Sequence, residues 1–383
     1  MKVRQFARLA SVAGVVLVSS LTLAACGSDN NAAAGGSSAA PTAGTTTSAA
    51  AAPAVDCGTG GTINAEGSSA QKNAIEQAIA SFADVCPDIT VNYNPTGSGA
   101  GIKQFTAAQV DFAGSDSALS ASKGEVDAAA ARCAANPAWN LPMVTGPIAV
   151  SYNLSGVGKL VLNGEVTAKI FRGAITTWND PAIAALNPGV TLPSEAIHVF
   201  FRSDESGTTD NFTTYLKAAS NGVWTDDHGK SWPASGAGEG REKSAGVAEG
   251  VATTPGGISY IEWSYAKDNK LSIAQIDNGS GAVELNADSV GKAVAGATRD
   301  GQGNDLRLKL DYATKEAGAY PIILVTYEIV CSKGLDANLT KGVKAFLTHF
   351  ASADVQKSLV DIGYAPLPST VQADVAKAIA AIA

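Results

Sequence analysis

Histidine is scarce in this 383-residue chain, with three copies, and charged residues make up only 16 % of it. The commonest general base is therefore missing from most of the molecule. There is no C-x-x-C pair and no H-E-x-x-H, so a zinc site has no sequence support and no metal is expected. There is no basic run either, which argues against nucleic acid as a partner. Of the histidines, His198 falls in a strand pattern and is expected to be packed, His228 in a solvated loop, and His349 in a C-terminal helical pattern. No G-x-S-x-G elbow occurs. "GSGAGI" puts Ile102 where a dinucleotide fingerprint needs its last glycine, and "GKS" at 229–231 has Trp224 where a P-loop needs its first.

Apolar runs long enough to span a membrane are also lacking. Lys2, Arg4 and Arg8 precede "LASVAGVVLVSSLTLAA", too short for a stable span, and the stretch ends "LAAC" at Cys26. This resembles a bacterial lipobox. The expectation is a signal peptide over 1–25, cleavage before Cys26, and lipid on Cys26 holding the chain at the extracytoplasmic face of the membrane. Residues 27–55 are almost all Gly, Ala, Ser, Thr and Asn, a composition that buries no core and reads as a tether. About 327 residues remain from Cys57 onward, enough for roughly two domains.

Once Cys26 is set aside, Cys57, Cys86, Cys133 and Cys331 remain, an even number in an oxidising compartment. Four cysteines allow three connectivities. Cys57 and Cys86 precede the first two predicted strands, which favours Cys57–Cys86 and leaves Cys133–Cys331. The formal charge is −8, and loss of Lys2, Arg4 and Arg8 with the leader takes it to −11. Such a chain attracts no anion through its bulk field, so any anion site must work by local geometry.

Strand, Gly/Ser-rich turn and helix alternate along the chain, the pattern of α/β units with parallel strands. Two long extended runs, "NLPMVTGPIAVSYN" and "AGAYPIILVTYEIVC", are placed to cross between two such domains as hinges around a cleft. Three strand-to-helix turns share one chemistry: "EGSSAQ" with Ser68 and Ser69, "NPTGSGAG" with Ser98, and "FRSDESGTTDNF" with Arg202 and Ser206. Taken singly, each reads as an ordinary N-cap. Together they offer hydroxyls, backbone N–H groups and helix dipoles to a common anion. Asp116, in "DFAGSDSALS", would repel such an anion unless the anion carries a proton. A carboxylate only accepts hydrogen bonds, so it suits protonated phosphate and disfavours sulfate.

The segments "GSGAGIKQF", "VDFAGSDSALS", "IFRGAITTWNDPAIAALNPGVTLP", "FRSDESGTTDNF", "TTPGGISYIEWSYAK" and "DIGYAPLP" resemble the PstS family. These are the phosphate-binding lipoproteins of bacterial phosphate ABC transporters, and the resemblance spans nearly all of 57–375. It implies a type II periplasmic-binding-protein fold, α/β throughout, with two lobes (57–146 plus 320–383, and 147–319) joined by two hinge strands. It also implies inorganic phosphate as ligand, permease subunits and their ATPase as partners, a monomer, no cofactor and no enzymatic activity. The implied contacts are the Ser69 hydroxyl, the Ala70 backbone N–H, the Ser98 hydroxyl, the acceptor Asp116, the Arg202 guanidinium, and Ser206, Gly207 and Thr208 at a helix start. Asp204 would orient Arg202. Two departures stand out. Ala70 replaces an aromatic residue, and Glu205 replaces a glycine and is expected to face solvent or a neighbouring base. The competing readings are a hydrolase using Ser98 or Ser206, and a related oxyanion-binding surface protein.

Overall fold

The computed structural model describes residues 55–383; the leader, Cys26 and the linker through residue 54 lie outside the described residues. The main strands are β1 (Gly61–Gly67), β2 (Ile89–Asn94), β3 (Phe112–Ser115), β4 (Ala138–Tyr152), β5 (His198–Arg202), β6 (Glu239–Arg241), β7 (Gly257–Glu262) and β8 (Ile323–Cys331). They form one sheet in the order β2-β1-β3-β8-β4-β7-β5-β6, with Ser272–Ile273 also paired to β4. Both flanks, β2-β1-β3 and β7-β5-β6, are parallel, whereas β8 and β4 are antiparallel to their neighbours. Two parallel α/β halves are thus fused through an antiparallel centre.

Among the helices that follow strand ends are α1 (Lys72–Phe82) after β1, α2 (Ser98–Thr106) after β2, α3 (Gly207–Ala219) after β5 and α4 (Lys243–Thr253) after β6. Another, α5 (Ala337–Phe350), follows β8. Helix α1 buries Ala74, Ile75, Ala78 and Phe82, the one-sided spacing of an amphipathic helix. Phe82 meets Phe346 of α5 edge to face at 5.3 Å, and truncating such a buried ring to alanine removes about 3–5 kcal/mol.

The core is divided in the same way as the sheet. One cluster joins Ile63, Phe82, Phe112, Val144, Phe346 and Phe350; another joins Ile148, Tyr152, Phe171, Trp178, Phe212 and Tyr260. Strand β4 passes between them. Through Pro147 it pairs with β8, and from Ile148 onward with β7. Its ladder with β8 slips between Thr326 and Tyr327, which face Val144 and Pro142, leaving Met143 as the extra residue. Pro142 has no N–H to give the ladder, which is why a bulge is tolerated there. Disulfides join Cys57 to Cys86 and Cys133 to Cys331.

One sequence expectation needs adjusting, and one further segment acquires a definite range. His198 does lie in a strand, but it is exposed rather than packed, because it is the first residue of β5, ahead of the buried Val199 and Phe200. The run at 159–173 is a short strand, Val161–Asn163, followed by the helix Gly164–Phe171; Asn163 caps that helix by accepting from the Val166 N–H at 2.8 Å.

Candidate anion-binding site

Parallel strands followed by helices bring helix N-termini to one edge of the sheet, and in this chain four converge. The N-terminus of α2 meets that of α3 directly. The Gly207 N–H donates to Ser98 Oγ at 3.2 Å, and the Gly99 N–H to the Glu205 carbonyl at 3.1 Å. A Cβ on Gly207 would stand 2.6 Å from the Asp116 Cβ, and one on Gly97 (φ +105°) 2.7 Å from Asp204 Oδ2. Only glycine permits this approach. The start of α4 closes on the β1–α1 turn, where the Ser244 N–H donates to Ser69 Oγ at 3.3 Å and the two hydroxyls lie 2.8 Å apart.

Asp116 sits at the junction, 4 % exposed. Its Oδ1 accepts from Ser68 Oγ at 2.6 Å and Thr326 Oγ1 at 2.7 Å, and its Oδ2 from Ser98 Oγ at 3.1 Å. Burial pushes its pKa up. The bonds from Ser68 and Thr326 oppose this, the charge of Glu262 adds to it, and the Ser98 bond opposes it, leaving the pKa at about 6. At neutral pH Asp116 is therefore mainly an ionised acceptor.

Arg202 is 2 % exposed. Its Nε donates to Asp204 Oδ1 at 2.8 Å, one terminal nitrogen donates to Asp204 Oδ2, and the other donates to Ser244 Oγ at 3.2 Å. A guanidinium has five N–H donors, so two are left beyond these three bonds. Burial opposes the Arg202 charge, but Asp204 outweighs it and raises the pKa further. Burial likewise lifts Asp204, but the Arg202 bonds and charge and the Lys243 N–H hold its carboxyl below the usual range. The pair is a neutral, rigid unit that presents donors.

The remaining expected contacts are gathered at the same place. Ser206 caps α3 by accepting from the Thr209 N–H at 3.3 Å, which leaves its own O–H unassigned. Thr208 is buried in the first turn and donates its hydroxyl to Glu262. Ala70 is 1 % exposed; its N–H donates to Ser68 Oγ at 3.0 Å and its carbonyl accepts from the Tyr364 hydroxyl at 2.7 Å. The Ser69 carbonyl accepts from Tyr265 at 3.1 Å and the Ser68 carbonyl from Tyr93 at 2.8 Å, so three tyrosines fix the turn. Glu205 turns outward and pairs with Lys103 at 2.6 Å, with both side chains exposed. Neither Ser98 nor Ser206 hydrogen-bonds a histidine; His228 meets Asp210 instead.

Sequence reasoning missed Ser244, Thr326, Glu262 and Glu328. Thr326 and Glu328 are polar residues at i and i+2 in the otherwise apolar run "IILVTYEIVC", and Glu262 interrupts "ISYIEW"; an isolated acid in a buried-strand pattern was the available signal. Glu328 is fully buried with neither oxygen hydrogen-bonded. Burial, resisted by Gln71 and reinforced by the charge of Asp116, pushes its pKa up to about 8.

A two-lobed α/β fold, with a candidate anion site where helix N-termini converge, defines the class. A family model described as a PBP superfamily domain matches residues 35–354. Among relatives, phosphate-binding protein PstS 3 of Mycobacterium tuberculosis is 48 % identical over 380 residues, 98 % of this chain and 99 % of that protein. Phosphate-binding protein PstS of Xylella fastidiosa is 35 % identical over 285 residues, 73 % and 74 % of the two chains. The chain belongs to the PstS family of phosphate-binding proteins. Two solved structures share its fold. One is the high-affinity periplasmic phosphate-binding protein PfluDING with phosphate bound (TM-score 0.68, 23 % identity, covering 82 % of this chain and 93 % of that one). The other is a phosphate-binding protein from Stenotrophomonas maltophilia (TM-score 0.62, 19 % identity, 83 % and 93 %).

Proposed function

We propose that the chain is an extracytoplasmic receptor that binds inorganic phosphate between its lobes and delivers it to the permease of an ABC transporter. The observation that carries this is Asp116, a buried acceptor set among four helix N-termini and opposite Arg202. Helix N-termini and Arg202 supply donors for the anion's oxygens. Asp116 requires the anion to bring a proton, as phosphate does near neutral pH and sulfate does not.

The contact set is Ser69, Ala70, Ser98, Asp116, Arg202, Ser206, Gly207 and Thr208, with Asp204 orienting Arg202. The lobes in this reading are 57–146 plus 320–383 and 147–319; the change of β4 from pairing with β8 to pairing with β7 at Pro147–Ile148 supports the boundary after 146, with β4 and the segment entering β8 as hinges. Removal of a signal peptide before Cys26, lipid on Cys26, and a monomer docking on permease subunits driven by a cytoplasmic ATPase complete the reading. Native mass spectrometry of the purified chain should show a mass increment of one phosphate that is lost on denaturation. A bare chain mass, unchanged by added phosphate, would contradict it. A hydrolytic role for Ser98 or Ser206 is disfavoured because neither hydroxyl meets a histidine, and the carboxylate that accepts from Ser98, Asp116, is shared with Ser68 and Thr326 and so serves as a fixed acceptor.

A further inference from the structure

Glu328 is fully buried in β8, opposite Gly114 of β3 on one side and Leu141 of β4 on the other. A Cβ on Gly114 would stand 2.1 Å from Gln71 Nε2 and 2.5 Å from the Tyr93 hydroxyl oxygen, so the bare glycine is what lets these groups meet. From there a chain of hydrogen bonds runs to the anion site. Gln71 Nε2 donates to the Tyr93 hydroxyl at 3.0 Å, Tyr93 donates to the Ser68 carbonyl at 2.8 Å, and Ser68 Oγ donates to Asp116 Oδ1 at 2.6 Å. Its direction is fixed, because a tyrosine has one proton to give and a carbonyl has none.

The other end of the chain lacks a donor. Gln71 Oε1 and both Glu328 oxygens are buried without a hydrogen-bond partner. The Gln71 amide acts on Glu328, yet no hydrogen bond of ordinary geometry joins its N–H to either oxygen. Buried acceptors gathered without a donor are costly, and the cost is relieved if the carboxyl itself brings a proton. Asp116 is the contrast, an acid whose oxygens accept from three hydroxyls and which is therefore stable as an anion. The titratable groups that face Glu328 are Asp116 and Tyr93, neither of them a cation, and Gly114 and Leu141 across the ladders are uncharged. Burial pushes the Glu328 pKa up, Gln71 opposes this and the Asp116 charge adds to it, leaving it at about 8.

We propose that Glu328 is a positioning residue that stays a neutral acid and donates its proton to Gln71 Oε1, fixing the amide so that Tyr93 and Ser68 hold the β1–α1 turn in place for phosphate. An ionised Glu328 would draw the Gln71 N–H to itself; Oε1 would then take the Tyr93 proton, and the Ser68 carbonyl would lose its donor. The inference rests on the phosphate reading above.

Two measurements test it. Infrared difference spectra of wild type against Glu328→Gln near neutral pH should show the C=O stretch of a protonated carboxyl in the wild type alone, fading as pH rises through about 8. In phosphate calorimetry at about pH 7, Glu328→Leu should weaken binding about tenfold, and Glu328→Gln, whose amide can donate in place of the acid, should recover most of that loss. Tyr93→Phe should match Glu328→Leu, and the two together should cost no more than either alone, since both break one chain. A missing carboxyl band, or equal affinity in the Leu and Gln variants, would overturn the inference. Failure of the wild type to bind phosphate would instead overturn the phosphate reading.

Discussion

The two walls of the cleft use opposite chemistry. The wall built on β1, β2 and β3 presents hydroxyls around an acid, with Asp116 held by Ser68, Ser98 and Thr326. The wall built on β5 and β6 presents a guanidinium already neutralised by Asp204, beside the N-termini of α3 and α4. Neither wall carries a net positive charge, in keeping with a chain whose formal charge is −8. In the proposed reading, attraction comes from oriented N–H groups and the two remaining Arg202 donors, and discrimination comes from Asp116 on the facing wall. That reading separates affinity from selectivity in space, so that each can be broken on its own.

The largest break should come from Arg202→Ala. Truncating one partner of a buried charge pair removes about 2–5 kcal/mol and strands the Asp204 carboxylate. Phosphate affinity measured by calorimetry should fall by more than about a hundredfold, and a loss under tenfold would show that this wall is not the source of attraction.

A second break concerns stability on the acid side. Asp116 and Glu328 both have folded pKa values raised by burial, to about 6 and about 8. Between its ordinary value and its raised value such a group binds more protons when folded, so stability falls as pH rises through that window. Phosphate-free protein should lose roughly 3–5 kcal/mol between about pH 5 and about pH 8, and Glu328→Gln should remove most of the part above pH 6. Thermal unfolding across that range checks this; a melting temperature that rises with pH would contradict it.

The smallest effect sharpens the comparison by marking its edge. Lys103 and Glu205 join the two walls at the surface with both side chains exposed. Lys103→Ala should change stability by less than about 1 kcal/mol and phosphate affinity by less than about threefold. A larger change in either would move Glu205 from the rim into the site.

The sequence carried the α/β alternation and three of the four converging turns because glycines and serines before an amphipathic run are spelled locally. The fourth, at Lys243–Ser244, was hidden because "REKSAG" surrounds its serine with charge and looks like an ordinary exposed helix start. Thr326 reaches Asp116 from β8, 210 residues away, beside a bulge in the facing β4 ladder. No local pattern encodes that register slip, although Pro142 made one permissible. The outward turn of Glu205 was expected on charge grounds alone, and Lys103 is the base it meets. The exposure of His198 was not foreseen, because a strand's first residue is the one whose facing the alternation fixes least.

The central claim is that Asp116 selects the anion by demanding a proton from it. Competitive calorimetry of wild type and Asp116→Asn with phosphate and sulfate tests this directly. Wild type should bind phosphate and ignore sulfate. The variant, whose amide can donate as well as accept, should bind both anions within about tenfold of each other. Unchanged discrimination in Asp116→Asn, or sulfate bound by the wild type as tightly as phosphate, would contradict the account.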